Sequence, residues 1–301
     1  MKWIKTGRLY EPENSDPYLL THASNPLAVL LKDDVYRVFY NGRNTENKSS
    51  VSYVDIDIIK GEIVHDHKKP IFKFGNDDSF YSHGVSIGCT YRVEESDYIL
   101  FMGWQCPEGH HWRGDIGRLK LTDGNATLQI DPSEPFITID NEDPVSLSYP
   151  YVIFDKGIYR MWYGSTIDWS SENGEMIHVI NYAESEDGNN WIKKGPAIPY
   201  EIGKAQAFSR PAILVRDGFY HMWYSYRSGD GSKYKIGYSK SKDGINWESD
   251  NLNSGILASD EGWDSEMVCY PFVFDHNEKT YMLYNGNSHG KTGFGLAVLD
   301  E

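Results

Sequence analysis

The sequence predicts an all-β protein: a five-bladed β-propeller with four-stranded blades, whose N-terminal strand closes the last blade. Three observations carry that expectation. Aromatic-rich segments recur as YRVFYNG near Tyr40, YILFMGW near Met102, YRMWYGS near Tyr163, YHMWYSY near Tyr224 and TYMLYNG near Tyr284, at steps of 62, 61, 61 and 60 residues. A long fixed period of this kind marks a repeat architecture. The 301 residues include 28 Gly but only ten Ala, unlike the Ala-rich periodic stretches of a helical chain. Finally, Trp3-Ile4-Lys5-Thr6-Gly7 matches Trp191-Ile192-Lys193-Lys194-Gly195, so the opening residues read as an outer strand.

The elements follow in order within each repeat. Ahead of each aromatic strand lies a short apolar run, NPLAVLL, GVSIGCTYRV, YPYVIFD, RPAILVRD and YPFVFD, four of them carrying a Pro that belongs at a strand start or edge. The two runs are joined by tight turns at Lys32-Asp33-Asp34, Asp155-Lys156-Gly157 and Arg216-Asp217-Gly218, and so read as hairpins. A third strand follows as VSYVDI, DIGRLKL, HVINYAES, KIGYSKS and FGLAVLD. In SEDGNNW and SKDGINW an Asp-Gly turn leads into a fourth strand at Trp191 or Trp247. The last repeat reaches Glu301 after three strands, so residues 1–8 are expected to complete it within a single domain spanning 1–301. Closing the ring in this way removes an open sheet edge.

Composition narrows the function. Twenty-nine basic against 44 acidic residues leave a net charge of −15, which repels nucleic-acid backbones and anionic lipid and argues against either as main partner. No apolar run approaches the roughly 18 residues of a membrane span, and MKWIKTGRLY has no secretory-signal pattern. A cytoplasmic protein is expected. Cys89, Cys106 and Cys269 are odd in number, widely spaced and without CxxC spacing, so they read as reduced thiols rather than disulfide or zinc ligands.

In such a ring the first strands of the blades line the axis, and their openings converge on one mouth, the default pocket. Those openings include His22 to Pro26, His83, Ser148-Tyr149-Pro150, Ser209-Arg210-Pro211 and Glu266 to Pro271. Connections after the second strands add Arg43, Trp104, Asp168 with Trp169, Arg227 and Asn285-Gly286-Asn287. Amides, guanidiniums, imidazoles and aromatic faces are the groups that hold polyhydroxylated rings. A saccharide or nucleotide-sugar ligand is therefore expected, contacted by Asn25, His83, Tyr149, Arg210, Arg227, Arg43, Trp104, Tyr270 and Asn285.

The five-fold repeat, the Asn25-Pro26 opening, the SRPAILVRDGFYHMWYSYR stretch and the SxDGxxW turns resemble the five-bladed glycosidase superfamily: glycoside hydrolase families 43, 32 and 68, with family 130 phosphorylases as relatives. GWDSEMVCYP and YNGNSHGKTGFGLA also resemble a branch associated with bacterial surface-polysaccharide clusters. The resemblance implies glycosyl chemistry by paired carboxylates, one Asp opening the first inner strand and a Glu acting as acid. This chain departs from that pattern with Asn25, which is closer to the Asn-Pro of family 130; the Asp-Pro of that family has a displaced counterpart in Asp143-Pro144.

Glycosyl transfer needs an acid to protonate the leaving oxygen. Glu266 is the first candidate because it opens the fifth inner strand after Gly262-Trp263-Asp264-Ser265, with Asp264 and Asp143 as second carboxylates and Asp78 a weaker one. Each has a structural alternative: Glu266 as a solvated or Arg-paired residue, Asp264 as a turn cap, His83 as a satisfied core imidazole, and Arg210 and Arg227 as partners of the protein's own carboxylates. Asp187 and Asp243 lie in turns resembling sialidase Asp-boxes and are expected to be structural. No cofactor is expected; His110-His111 is too isolated for a metal site, although some related propellers hold a channel cation. Three functions fit: a glycoside hydrolase-like enzyme cleaving or transferring a glycosyl unit in polysaccharide or nucleotide-sugar metabolism, a phosphorylase or transferase whose Arg and His hold phosphate, or a non-catalytic sugar-binding propeller.

Overall fold

A computed structural model describes residues 1–229 and 231–300. The described chain is almost entirely β-strand, and the strands pair as four-stranded antiparallel blades. Strand β1 (Lys2–Tyr10) stands apart at the start. Then come β2 (Thr21–Lys32), β3 (Val35–Arg43), β4 (Ser49–Asp57) and β5 (Glu62–Asp66); next β6 (Gly84–Val93), β7 (Ser96–Gln105), β8 (Arg113–Thr122) and β9 (Thr127–Ile130). They are followed by β10 (Ser146–Asp155), β11 (Ile158–Asp168), β12 (Ile177–Ser185) and β13 (Ile192–Pro196), and by β14 (Ala207–Arg216), β15 (Phe219–Arg227), β16 (Lys235–Ser241) and β17 (Trp247–Ser249). The last group is β18 (Cys269–His276), β19 (Lys279–Asn285) and β20 (Phe294–Asp300), and β1 pairs antiparallel with β20, Trp3 opposite Leu299.

The hairpin turns are where the sequence puts them. Asp33, Lys156 and Asp217 have φ of 50°, 52° and 52°, and Gly157 and Gly218 follow at 85° and 74°. That left-handed pair lets a short turn match the twist of its strands. The prolines depart from expectation. They lie inside β2, β10, β14 and β18 rather than at their starts, at register shifts between Ser24 and Leu27, Ser148 and Tyr151, Ser209 and Ala212, and Cys269 and Phe272. A bulge frees the proline from donating to the ladder. The residue before each proline is left-handed: Asn25 at 55°, Tyr149 at 36°, Arg210 at 49° and Tyr270 at 54°. Non-glycine residues hold this conformation at a cost, and here it recurs at one place in four blades.

First strands touch one another in sequence, β2 to β6, β6 to β10, β10 to β14, β14 to β18 and β18 to β2, so their bulges gather around a common axis. At Gly88 a Cβ would lie 2.3 Å from the Pro150 carbonyl oxygen, which explains a glycine where neighbouring first strands approach. Aromatic pairs bind blade to blade: Tyr36 with Phe274 at 4.9 Å, Tyr91 with Tyr159 at 6.4 Å, Trp162 with Tyr220 at 6.4 Å and Trp3 with Trp223 at 5.6 Å. Each such ring removes on the order of 150–250 Å² from water, and Trp3 and Tyr10 make β1 a full member of this core.

Candidate functional site

The bulged strands surround a cavity of about 280 Å³, near the lower end of ligand pockets and of a size for one small ring. Its walls come from several blades. The bulges supply Ser148, Tyr149, Ser209 and Tyr270; the ends of second strands supply Arg43, Trp104 and Arg227. Trp112, Tyr234 and His289 come from connections, and His178 from the start of β12. Tyr149 and Tyr270 face each other at 5.4 Å between centroids. A second hollow of about 640 Å³ shares Trp112 and contains Trp169, whose ring lies 4.7 Å from Trp112 and stacks on His111 at 4.9 Å.

His178 is fully enclosed. Its Nε2 lies 2.7 Å from Ser148 Oγ and its Nδ1 2.7 Å from Thr166 Oγ1. Burial, then the Arg227 charge, pulls its pKa down to about 4, so the ring is neutral at pH 7, donating one hydrogen bond and accepting the other. Gly164 makes the contact possible, because a Cβ there would lie 2.1 Å from Ser148 Oγ and 2.4 Å from His178 Nε2. His289, with φ of 60°, is also lowered to about 4, by burial first and then by Arg43, Arg227 and Lys233. His22 falls to about 3 from burial, Arg43, His289 and Lys291. Three imidazoles are thus held neutral around two guanidiniums.

Of the residues the sequence assigns to ligand contact, Arg43, Trp104, Tyr149, Arg227 and Tyr270 line this cavity. The others do not. His83 packs against Trp104 at 5.8 Å, outside the lining. Asn25 and Asn285 are buried behind it and serve each other: the Asn25 backbone N–H donates to Asn285 Oδ1 at 2.8 Å, and Asn25 Nδ2 to Asn41 Oδ1 at 3.1 Å. Arg210 is 1% exposed and donates to the carbonyls of Tyr270, Pro271 and Pro26 at 2.7, 3.2 and 2.8 Å. Burial lowers it to about 10, still charged at neutral pH. It ties three first strands together at the axis, so a ligand-holding role for it is replaced by a structural one.

The carboxylates depart furthest from expectation. Asp264 is buried and accepts from Lys5 Nζ at 2.7 Å and the Tyr284 hydroxyl at 3.0 Å. Asp143 is buried and accepts from Lys193 Nζ at 2.6 Å, the Tyr163 hydroxyl at 2.8 Å and Asn181 Nδ2 at 2.7 Å. Both are enclosed in their blades, away from the cavity lining. The Glu266 side chain is exposed and ahead of β18, whose first residue is Cys269; it neither opens that strand nor lies against an aromatic wall of the cavity lining. Its neighbour Met267 packs with Tyr234, Tyr270 and Tyr149. Asp187 and Asp243 cap their turns, each accepting backbone N–H groups from residues two and three ahead.

No protein-family model matches the sequence. Over 303 aligned positions it is 37% identical to "Uncharacterized protein Rv1502" of Mycobacterium tuberculosis strain H37Rv, covering 100% of both chains, and equally to the counterpart in strain CDC 1551, "Uncharacterized protein MT1551". The chain belongs to the family of these mycobacterial proteins. Among solved structures, one described as a glycoside hydrolase superposes with a TM-score of 0.76 at 14% identity, over 99% of this chain and 92% of the other. A thermostable family-43 glycoside hydrolase gives 0.69 at 13%, over 94% and 91%. An α-L-arabinofuranosidase from Podospora anserina, in complex with cellotriose, gives 0.69 at 11%, over 100% and 97%. The fold is that of the propeller glycoside hydrolases.

His178, His289, Trp112 and Tyr234 line the cavity without being legible from first-strand openings. His178 pairs with Ala207 in the parallel bridge between blades as Ser49 pairs with Gly84, so third-strand openings reach the same mouth. Glu175 precedes the cavity residue Met176 and accepts from Arg227 Nη2 at 3.0 Å. Among the described residues no group of three His, Cys, Asp or Glu is arranged to hold a metal, and no helix is long and apolar enough to cross a membrane.

Proposed function

We propose that residues 1–301 form one five-bladed propeller acting in the cytoplasm as a carbohydrate-active, glycoside hydrolase-like enzyme, cleaving or transferring a glycosyl unit at the axial cavity in polysaccharide or nucleotide-sugar metabolism. The observation that carries the reading is the cavity itself: a ring-sized space walled by Trp104, Trp112, Tyr149 and Tyr270, with hydroxyl and imidazole groups between them, in a fold shared with glycosidases. Aromatic faces stack on sugar rings, and a few convergent polar groups fix orientation. Glu266 and Glu175 each directly precede a methionine packed at the cavity, Met267 and Met176. Glu266 is assigned as general acid, with Glu175 as second carboxylate, steadied by Arg227.

A second reading, a sugar-binding propeller without turnover, is favoured by one observation: neither Asp nor Glu is among the described lining residues. Incubating the protein with oligosaccharides, glycosyl phosphates and nucleotide sugars, with products followed by mass spectrometry and binding by tryptophan fluorescence, separates the two. The enzyme reading expects product whose rate falls in Glu266→Gln. Binding without product on any acceptor supports the second reading, and absence of both binding and product rejects the carbohydrate assignment.

A further inference from the structure

The chain carries a net charge of −15, yet its axial cavity reverses that sign. Arg43 and Arg227 line it, and neither Asp nor Glu does among the described residues. Arg43 has no carboxylate partner among those residues; Nη1 donates to Asn47 Oδ1 at 2.7 Å. Arg227 shares Nη2 with Glu175, lies over the Tyr234 ring at 4.7 Å, and keeps Nε buried with no hydrogen-bond partner. A buried guanidinium N–H without an acceptor costs stability unless a ligand supplies one.

We propose that the cavity selects a glycosyl ligand bearing a phosphate ester, held between the guanidiniums of Arg43 and Arg227. An uncharged sugar leaves Arg43 unmatched, and a single carboxylate matches one guanidinium. A phosphate dianion offers three outer oxygens, enough to accept from both, and arginine forks fit that geometry. The whole-protein charge, which disfavours extended polyanions, does not oppose this, because a compact anion in a walled cavity responds to the nearest charges. Both arginines line the same cavity as His289 and lower its pKa. The second hollow, opening past Trp112 towards Trp169, takes the remainder of the ligand, a free end for a glycosyl phosphate or a base for a nucleotide-linked sugar. The proposal rests on the carbohydrate reading above and specifies its substrate class.

Titration calorimetry of the full chain tests it, with four probes: an uncharged hexose, the same hexose 1-phosphate, a nucleoside-diphosphate hexose and inorganic phosphate. The hexose 1-phosphate or the nucleotide-linked sugar is expected to bind at least about tenfold more tightly than the uncharged hexose, weakening as salt rises. The relative affinity of those two identifies the source of the phosphate. Arg43→Gln, which orphans no carboxylate among the described residues, is expected to weaken the phosphorylated ligand by about 10- to 100-fold and the hexose by a much smaller factor. Arg227→Gln is expected to do the same, with melting followed because Glu175 loses its partner. Equal affinity for charged and uncharged sugar, or no effect of Arg43→Gln, overturns the proposal while leaving a carbohydrate site. Inorganic phosphate binding as tightly as either sugar ester overturns it too, and removes the sugar from the site altogether.

Discussion

The blade rims and the axis of this molecule treat acidic residues in opposite ways. At the rims, Asp143 and Asp264 are the same device used twice: each accepts from a lysine of the outermost strand, Lys193 or Lys5, and from a tyrosine of the second strand, Tyr163 or Tyr284. The two lysines hold equivalent places in the matching segments Trp191–Gly195 and Trp3–Gly7. At the axis, the described lining holds arginine, neutral imidazole and aromatic faces and no carboxylate. A carboxylate that recurs with its partners from blade to blade belongs to the repeat. Chemistry is to be sought at the axis, where one left-handed backbone shape recurs in four blades but carries different side chains, two of which, Tyr149 and Tyr270, line the cavity.

The comparison is broken most severely at the N-terminus. Deleting residues 1–8 removes Trp3 and Lys5, bares the edge of β20 and leaves Asp264 without its lysine; loss of cooperative melting or aggregation is expected, and unchanged melting would contradict the closure. Next in size, Asp264→Ala strands a buried lysine contact and a tyrosine hydroxyl. By the cost of breaking buried pairs it lowers unfolding free energy by about 3 kcal/mol, read by denaturant titration, with ligand affinity of the folded protein unchanged. Full stability with activity lost would move the chemistry to the rim. Asp143→Ala is expected to behave alike.

Acid sharpens the contrast at the axis. His178 and His289 bind protons more weakly folded, at about 4, than unfolded near 6.5, so the unfolded state gains protons as pH falls. Their contribution is complete above pH 6.5 and is lost between about 6.5 and 4. His178→Asn flattens that part of the stability profile; an unchanged slope argues against a buried neutral ring. Glu266→Gln is expected to lower turnover by at least about 10²-fold with melting intact, and wild-type rates would shift the acid role to Glu175. The smallest effect is that of Trp104→Ala, a half-buried cavity face, expected to weaken saccharide binding by roughly 1 kcal/mol in fluorescence titration.

Most of the fold was legible because its determinants are local and repeated: aromatic second strands, Asp-Gly turns, and the Trp3–Gly7 match that β1 fulfils by pairing with β20. The site was legible only in part. Arg43, Trp104, Tyr149, Arg227 and Tyr270 follow from strand order alone, since a strand's end fixes which mouth it reaches. Asp143, Asp264, Asn25, Asn285 and Arg210 did not, because direction and burial depend on strands remote in sequence: a lysine from the outer strand of its own blade claims each aspartate, and three carbonyls from two other first strands claim the arginine. His178 is not legible because its partners, Ser148 and Thr166, come together only after β10, β11 and β12 pair.

The most direct measurement is a crystal structure of the protein with a bound saccharide. The account predicts the sugar ring in the axial cavity against Trp104 and Tyr270, clear of Asp143 and Asp264. A ring seated instead in the hollow of about 620 Å³ beside Asp143 and Lys193 would contradict it.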